Sequence, residues 1–308
     1  MEQVQKVGIV VPLYNDWESL AELIKQIQKH VSEEKIELIV INDCSTQKQI
    51  EIETHFKLKV INLKINLGHQ RAIAIGLVHC SRLDYISHVI VMDSDGEDNP
   101  LYINELLKRC RKTKKVTFAR RSKRREGILF RLFYTIYKLI FKILTGESLS
   151  FGNFSAIPKE NLDSIISIPD LWNHFSVAIM KSKIPYETID TNREKRYFGK
   201  SKMNFNSLII HGFSAISIFI ENVLARIILT TLFVFVSSIA LSGVVLYRKF
   251  VVGVASPGWA TSTIFGFMIV SLLMLVFCFL IGLNYLNNRR EQMDIDFLRD
   301  NYKKFTKE

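Results

Sequence analysis

Up to about residue 210, short apolar runs alternate with polar turns and amphipathic stretches. The apolar runs predict strands at 7–11, 36–41, 59–63, 88–92, 116–119 and 186–192. The amphipathic stretches predict helices between them, at 17–31, 70–80 and 101–112. This alternation is typical of an α/β fold with a mostly parallel sheet, and we assign the domain to residues 1–210.

Two long uncharged runs follow, at 227–247 and 259–287. Each is rich in large apolar residues and long enough to cross a bilayer as a helix, so together they predict a transmembrane hairpin. Both flanks of a hairpin lie on one membrane face. The basic residues after 288 favour the cytoplasmic side, which predicts a cytoplasmic tail at 289–308. Arg248 and Lys249, in the connection, count weakly against this orientation.

Two further apolar segments also carry polar residues. In 128–144 the cations Arg131, Lys138 and Lys142 share one helical stripe. This pattern predicts an amphipathic helix lying on the membrane surface, although an ordinary surface helix of the domain is the alternative. A second amphipathic segment, 206–222, leads into the first span.

The net charge of +11 is concentrated in a basic run between Lys108 and Arg125. Such a run suits nucleic acid, an anionic membrane or a diphosphate, and the nearby apolar spans favour the membrane. We therefore predict anionic lipids as partners and no nucleic acid, since no aromatic stacking platform accompanies the run. The sequence is also compatible with a homo-oligomer.

The start of the sequence and its cysteines bear on the compartment. Residues 1–6 lack the apolar core of a signal peptide, so we expect the first domain to remain in the cytosol. The cysteines form no C-x-x-C pair, and we expect reduced, mostly buried thiols at Cys44, Cys80, Cys110 and Cys278.

The most specific local signal is an apolar strand, Val89 to Met92, that ends in Asp93-Ser94-Asp95. Side-chain alternation places both carboxylates on one side, at the strand end where open α/β sheets bind ligands. Such oxygen donors suit a divalent cation that bridges to a diphosphate, with Glu97 or Asp98 as a further ligand. Paired acids in a turn are otherwise commonly solvated or cap a helix. Here, however, polar turns also follow the first two strands, at 12–16 and 42–46.

The chain resembles the family 2 glycosyltransferases, which have the GT-A (Rossmann-like) fold. Four segments carry the resemblance: V-V-P-L-Y-N-D at 10–16, I-N-D-C-S-T at 41–46, N-L-G-H-Q-R-A-I-A-I-G-L at 66–77 and M-D-S-D at 92–95. The polyprenyl-phosphate branch, similar to dolichol-phosphate mannose synthases and bactoprenol glucosyltransferases, fits best. Its further features here are R-E-K-R-Y-F-G-K-S-K at 193–202 and Pro257-Gly258-Trp259. The resemblance implies inverting transfer of a hexose from a UDP- or GDP-sugar to a polyprenyl phosphate at the cytoplasmic membrane face.

The resemblance also implies roles for individual residues. A nucleotide-sugar site is implied at Pro12, Tyr14, Asp16, Asp43, Asn66, Gly68, Arg71 and Asp93. A site for Mg²⁺ or Mn²⁺ is implied at Asp93, Asp95 and Glu97, with Glu97 standing where the family usually has Gln. The acceptor phosphate and lipid are assigned to Arg120, Arg131, Arg193, Arg196, Ser201 and Lys202, because guanidinium groups clamp phosphate. Turn formation and helix capping are the alternative roles in the first set, and lipid headgroup attraction is the alternative for 193–202.

One segment departs from the family. The pattern D-x-G-D-F-R reads here Ser150-Phe151-Gly152-Asn153-Phe154-Ser155, without the acid sometimes assigned as catalytic base. A phosphate acceptor tolerates this loss, because its second pKa of about 6 leaves it largely ionised. A saccharide or lipid hydroxyl acceptor would need another base, such as Asp170 or Asp190, and an impaired membrane-anchored scaffold is a third interpretation. Besides Asp93 and Asp95, the catalytic candidates are Asn153 and His174. A further helix is predicted to open at Trp172, Asn173 and His174 and to run to Lys181.

Overall fold

The computed structural model describes residues 5–31, 35–123, 128–192, 194–199, 205–253, 258–290 and 302–307. The chain forms two compact units. The first comprises Met1–Leu139, Ser148–Ile218 and Met293–Glu308, and the second comprises Ile140–Glu147 and Phe219–Gln292.

A single sheet organises the first unit. Its strands are β1 (Lys6–Leu13), β2 (Ile36–Asn42), β3 (Lys57–Asn62), β4 (Ile86–Val91), β5 (Val116–Lys123), β6 (Phe151–Pro158) and β7 (Tyr186–Asn192). In the described part of the chain these seven strands lie in the order β3-β2-β1-β4-β6-β5-β7. All neighbours are parallel except the two pairs that contain β6. The predicted α/β class with a mostly parallel sheet is confirmed.

Helices pack on both faces of the sheet. The helices that precede the second unit are α1 (Trp17–His30), α2 (His69–Ser81), α3 (Ile103–Thr113), α4 (Ile128–Thr145), α5 (Lys159–Ile166), α6 (Phe175–Ser182) and α7 (Phe205–Ile218), of which α1, α2, α3, α5 and α6 contact the sheet. The apolar stripes of α1 and α3 pack on one face, where they meet Ile9 and Val11 of β1. Side chains alternate along a strand, so Val10 points the other way and meets Gly76 of α2. The carboxyl ends of the central strands therefore lie between two helical layers.

Strand β6 is missing from the sequence prediction. Gly152 and Asn153 interrupt its apolar pattern near the start, so the segment resembles a turn. Pairing with β4 and β5 on either side nevertheless fixes it as a strand, and its residues from Phe154 onward are buried. The helix predicted to open at Trp172 is also displaced. A 3-10 turn occupies Pro169–Trp172, and α6 follows with His174 as its N-cap residue.

A lysine from the start of α5 secures the end of α2. The Lys159 ammonium donates to the carbonyls of Cys80, Ser81 and Leu83 at 2.9, 2.8 and 3.0 Å, and desolvation lowers its pKa. Lys159→Met would leave these carbonyls without their donor, so we expect the free energy of unfolding to fall by about 2 kcal/mol. Thermal unfolding measures the change, and Lys108→Met, at an exposed position on α3, is the matched control. Equal melting temperatures for the two variants would contradict this role.

The second unit contains the long helices α8 (Ile220–Tyr247) and α9 (Trp259–Arg290). The segments Ile220–Val252 and Thr261–Asn284 are long and apolar enough to cross a membrane, with mean hydropathies of 2.3 and 3.0. Large apolar side chains face outward, among them Phe233 at 72% and Phe277 at 62% exposure, whereas Ser238 and Ser271 are buried. Small polar residues inside and large apolar residues outside are typical of helices that pack within lipid.

Helix α8 begins earlier than the predicted span at 227–247. The predicted span begins after Arg226, because a charged residue ends the uncharged run there. In the structure Arg226 donates to the carbonyls of Lys142 and Ile143 at the end of α4, and Asn222 donates to Thr145 (3.1 Å). A cation is favourable at a helix carboxyl terminus, so α8 extends through this position. The helices predicted at 128–144 and 206–222 correspond to α4 and α7, and α7 ends at Ile218.

Candidate active site

The loops that follow β1, β2 and β4 meet at one edge of the sheet. These strands are parallel neighbours, so their carboxyl ends emerge together. They bring Tyr14 to Asp16, Asp43 to Thr46 and Asp93 to Asp98 to the same edge. The first turn of α2 starts at this edge, which therefore contains most of the candidate residues from the sequence.

Asp93 lies against His69, the first residue of α2. The imidazole Nε2 is 3.1 Å from the Asp93 Oδ1 and also 3.1 Å from the Asn153 amide nitrogen. Desolvation lowers the pKa of His69, but attraction and hydrogen bonding from Asp93, together with Asp95 and Asp98, raise it above its ordinary value. His69 thus joins the D-x-D segment to the segment that departs from the family pattern.

Asp95 is held by a cation from a different loop. Its Oδ2 is 3.4 Å from Nη1 of Arg196, while Nη2 of the same guanidinium pairs with Asp16. All three side chains are less than one-fifth exposed. One arginine therefore connects the loops after β1 and β4. Without a cation between them, the Asp16 and Asp95 carboxylates would repel each other.

The backbone of 194–199 also lies on the D-x-D turn. The amides of Glu194 and Tyr197 donate to the carbonyls of Glu97 and Asp95 at 3.2 and 3.0 Å. The Tyr197 ring covers Gly96, and its burial raises the Tyr197 pKa to about 12. These contacts, with those of Arg196, hold the segment over the acidic turn.

The acidic turn is ordered by its own hydrogen bonds. The Asp95 Oδ1 accepts from the Glu97 amide (3.0 Å), and the Asp98 carboxylate accepts from the Asp93 amide (3.1 Å). Within the described ranges, no three His, Cys, Asp or Glu side chains are arranged to hold a metal ion by themselves. Because Mg²⁺ commonly takes one or two carboxylates together with phosphates and water, Asp93 and Asp95 fit such an ion, and Glu97 as a third ligand stays a prediction.

Asp43 shapes the turn that leads into α2. Its carboxylate accepts from the amides of Leu67 (2.7 Å) and Gly68 (2.9 Å), and Asn66 donates to its carbonyl (3.1 Å). Burial raises the pKa of Asp43, while these two amides and the charges of His69 and Arg71 oppose the rise. The turn-forming role considered for Asp43 is therefore present in the structure, and its contact with a nucleotide stays a prediction.

The remaining candidate residues differ in burial and in their contacts. Pro12 is buried in β1 and Tyr14 is 43% exposed beyond it. Arg71, also exposed, lies over the ring of Trp172 (5.4 Å). His174 is buried, with Nδ1 3.4 Å from the Ser176 hydroxyl. Four acceptor candidates fall outside the described part of the chain: the Arg131 side chain, Arg193, Ser201 and Lys202.

A sequence profile of glycosyl transferase family 2 matches residues 8–171. The chain belongs to glycosyl transferase family 2. The matched range contains the sheet edge, the D-x-D segment and α2, so the acidic site belongs to the part of this glycosyltransferase that defines the family.

Relatives of the transferase include proteins named for lipid-phosphate chemistry. An uncharacterized glycosyltransferase of Synechocystis sp. is 23% identical over 83% of this chain and 82% of that protein. The undecaprenyl-phosphate 4-deoxy-4-formamido-L-arabinose transferase of Photorhabdus laumondii is 27% identical over 68% of this chain and 66% of that protein. A solved structure of glucosyl-3-phosphoglycerate synthase from Mycobacterium tuberculosis with Mn²⁺ and UDP is 16% identical over 72% of this chain and 78% of that one, with a TM-score of 0.48.

His69 is a site residue that the sequence predictions do not include, although it lies within the N-L-G-H-Q-R-A segment of this glycosyltransferase. The available signal was its position. It directly follows the turn glycine Gly68 at the start of a helix on the ligand-binding edge. Contact with Asp93 could not be read from the sequence, because it depends on how α2 packs beside β4.

Gly96 gives a steric test of the segment above the acidic turn. Its φ is +85° and a Cβ there would overlap the Tyr197 ring, so Gly96→Ala is expected to displace 194–199 and lower transfer by on the order of tenfold or more. Gly199→Ala is the matched control, because Gly199 also has positive φ (+68°) but no heavy atom near its added Cβ. Adding Tyr197→Ala to Gly96→Ala should recover part of the loss, and equal activity of the two single glycine variants would contradict the contact's importance.

Proposed function

We propose that this family 2 transferase moves a hexose from a UDP- or GDP-sugar to a polyprenyl phosphate at the cytoplasmic face of a membrane. One observation carries the proposal. The carboxylates of Asp93 and Asp95 lie at the ligand-binding edge of the sheet, where Asp93 contacts the His69 imidazole and Asp95 contacts the Arg196 guanidinium. The Photorhabdus relative, which is named an undecaprenyl-phosphate 4-deoxy-4-formamido-L-arabinose transferase, supports the acceptor class.

In the proposed reaction a phosphate oxygen of the lipid attacks the anomeric carbon. A new carbon–oxygen bond forms, the bond to the nucleoside diphosphate breaks, and the configuration inverts. The donor would be bound by Pro12, Tyr14, Asp16, Asp43, Asn66, Gly68, Arg71 and Asp93. The acceptor would be bound by Arg120, Arg131, Arg193, Arg196, Ser201 and Lys202. Holding both substrates in register accounts for much of the expected rate.

Asp93 and Asp95 would hold Mg²⁺ or Mn²⁺, because hard cations prefer carboxylate oxygens. When bound, such an ion supplies positive charge that neutralises the departing nucleoside diphosphate. His69 contacts Asp93 and Arg196 contacts Asp95, and the Asp98 carboxylate accepts a hydrogen bond from the Asp93 amide. These contacts fix the positions of the two carboxylates, and the Arg196 guanidinium would compete with the metal ion for Asp95.

The absence of an acid in Ser150 to Ser155 fits an acceptor that is already ionised. If so, Asn153→Asp should change turnover by less than about tenfold, well below the ~10²–10⁴ that a general base contributes. Ser150→Asp is a second test at the other altered position. Steady-state rates with polyprenyl phosphate measure both variants. A hundredfold gain in either would show that the native chain lacks a base it needs.

The rival acceptor, a hydroxyl, receives less support. A hydroxyl acceptor would need Asp170 or Asp190 as its base. Asp170 forms a salt bridge with Lys181 (2.8 Å), and Asp190 forms a bidentate salt bridge with Arg120 (2.7 and 3.1 Å). Hydrogen bonding from Arg120 lowers the pKa of Asp190, which makes it a weaker base. A phosphate nucleophile needs neither residue.

The apolar surfaces support a position at the membrane. We propose that α8 and α9 form the anchoring hairpin, and that α4 and α7 lie on the lipid surface. Ile136 and Leu139 of α4 and Ile210 and Phe213 of α7 are exposed apolar residues within the first unit. Exposed side chains of this kind suit the interface between headgroups and acyl chains, and anionic lipids would attract the basic run that precedes α4.

The test uses the full chain purified in detergent. It is incubated with Mn²⁺, undecaprenyl phosphate and a panel of UDP- and GDP-sugars, and the lipid fraction is analysed by mass spectrometry. We expect one donor to give a lipid heavier by one hexosyl residue, with the signal lost on chelation by EDTA. A complete panel without any such product would contradict the proposed function.

A further inference from the structure

Residues 302–307, called here the 302–307 segment, add to the edge of the sheet beyond β3. Thr306 forms an antiparallel bridge with Leu63. The Phe305 carbonyl accepts from the Lys64 amide (3.0 Å), and the Lys307 amide donates to the Asn62 carbonyl (2.9 Å). The sequence prediction treated 289–308 only as a tail, whereas this part of it pairs with the catalytic sheet.

Tyr302 anchors the same segment on α2. It is 3% exposed, its hydroxyl lies 3.0 Å from Nδ1 of His79, and the Arg82 guanidinium lies 4.4 Å from its ring centroid. Burial of a tyrosine with its hydroxyl partnered is a stable docking arrangement. The segment is therefore fixed near the carboxyl end of α2 as well as at the sheet edge.

From this anchor a line of contacts leads to the first turn of α2. The Phe305 ring packs on Trp172, with centroids 5.5 Å apart, and the Arg71 guanidinium lies over the Trp172 ring. The preceding residues of that turn are fixed elsewhere. His69 contacts Asp93, and Gln70 accepts from the Phe175 amide (2.7 Å). Arg71 is thus the residue of this turn whose placement depends on Trp172 and, through it, on Phe305.

We propose that the 302–307 segment is a structural part of the donor site, in which Phe305 holds Trp172 and Trp172 positions Arg71 for the phosphates of the nucleotide sugar. This inference rests on the proposed function. A guanidinium that stacks on an aromatic ring keeps its in-plane N–H donors directed outward, which suits an anionic ligand. Arg71 is exposed, lies at the ligand-binding edge, and its charge acts on the buried Asp43.

Removing the Phe305 ring should weaken binding of the nucleotide-sugar donor more than it slows the transfer step. With the full chain in detergent, Mn²⁺ and UDP or GDP as probe, we expect Phe305→Ala to weaken nucleotide binding in calorimetry by about three- to tenfold, because Arg71 must then be ordered on binding. In transfer assays the KM for the donor should rise by a similar factor and kcat should stay nearly constant. Phe305→Tyr should restore both values. Lys304→Ala, at the adjacent exposed position, is the control.

A double-mutant cycle distinguishes positioning from general stability. In a Trp172→Ala background, Phe305→Ala should cause no further loss of affinity. If Phe305→Ala fails to fold, Phe305→Leu preserves an apolar contact and replaces it in the cycle. The inference would be overturned if Phe305→Ala bound nucleotide as tightly as wild type, or if Phe305→Ala caused the same loss of affinity in the Trp172→Ala background as in wild type. Either result would leave the proposed function intact. Wild-type protein that binds neither UDP nor GDP would instead contradict the proposed function itself, and the inference with it.

Discussion

Asp93→Asn is expected to reduce sugar transfer by on the order of a thousandfold, or about 4 kcal/mol of transition-state stabilisation. Asparagine keeps the size of the side chain but removes the charge that would hold a divalent cation. It also removes the negative charge beside His69, whose Nε2 lies 3.1 Å from the Asp93 carboxylate. Initial rates at saturating Mn²⁺ and donor measure the loss.

Asp84→Asn is the matched control for this variant. Asp84 is an exposed aspartate just before β4, at the opposite end of the strand from Asp93. Its replacement should leave the rate within about twofold of wild type, since surface substitutions away from special features have small effects. An Asp93→Asn enzyme with near-normal rates would remove the basis for a cation at the D-x-D segment.

Arg196→Ala is expected to lower kcat/KM by about a hundredfold, because one guanidinium connects the Asp16 and Asp95 carboxylates. Lysine provides a point charge without the planar fork, so Arg196→Lys should recover only part of this loss. The two carboxylates would also attract metal more strongly once the guanidinium is gone. The Mn²⁺ concentration for half-maximal activity should therefore fall while the rate falls.

Lys195→Ala is the control for Arg196, since it removes an exposed neighbouring cation from the same loop. A lower rate combined with a lower Mn²⁺ concentration for half-maximal activity is specific to a guanidinium that competes with the metal for the acidic site. If Arg196→Ala needed more Mn²⁺ than wild type, or if Arg196→Lys matched wild type, the role given to the guanidinium fork would be wrong.

Strands and helices with strong local periodicity were predictable from the sequence. The buried strands β1, β2 and β4 are continuous apolar runs, and α1 and α3 show clear amphipathic spacing. Strand β6 was not predictable in this way, because its identity depends on partners that lie on both sides of it. The early start of α8 was missed for a related reason, since Arg226 donates hydrogen bonds to carbonyls of α4, which are distant in sequence.

The location of the candidate site was predictable from the sequence, whereas the contacts between its side chains were not. Parallel strands bring Asp16, Asp43 and Asp93 to one edge, and the sequence pattern alone implies that. The contacts of His69 with Asp93 and of Arg196 with Asp95 join residues from different segments of the chain. Phe305 is an extreme case, because it reaches Trp172 from a region that the sequence identified only as a tail.

The most direct measurement compares two acceptors that differ only in the phosphate, undecaprenyl phosphate and undecaprenol, with the same donor, Mn²⁺ and full-length protein. The account predicts glycosylated lipid from the phosphate at a rate at least about a hundredfold above that from the alcohol, because only the phosphate is ionised without a general base. Equal rates for both acceptors, or faster transfer to the alcohol, would contradict it.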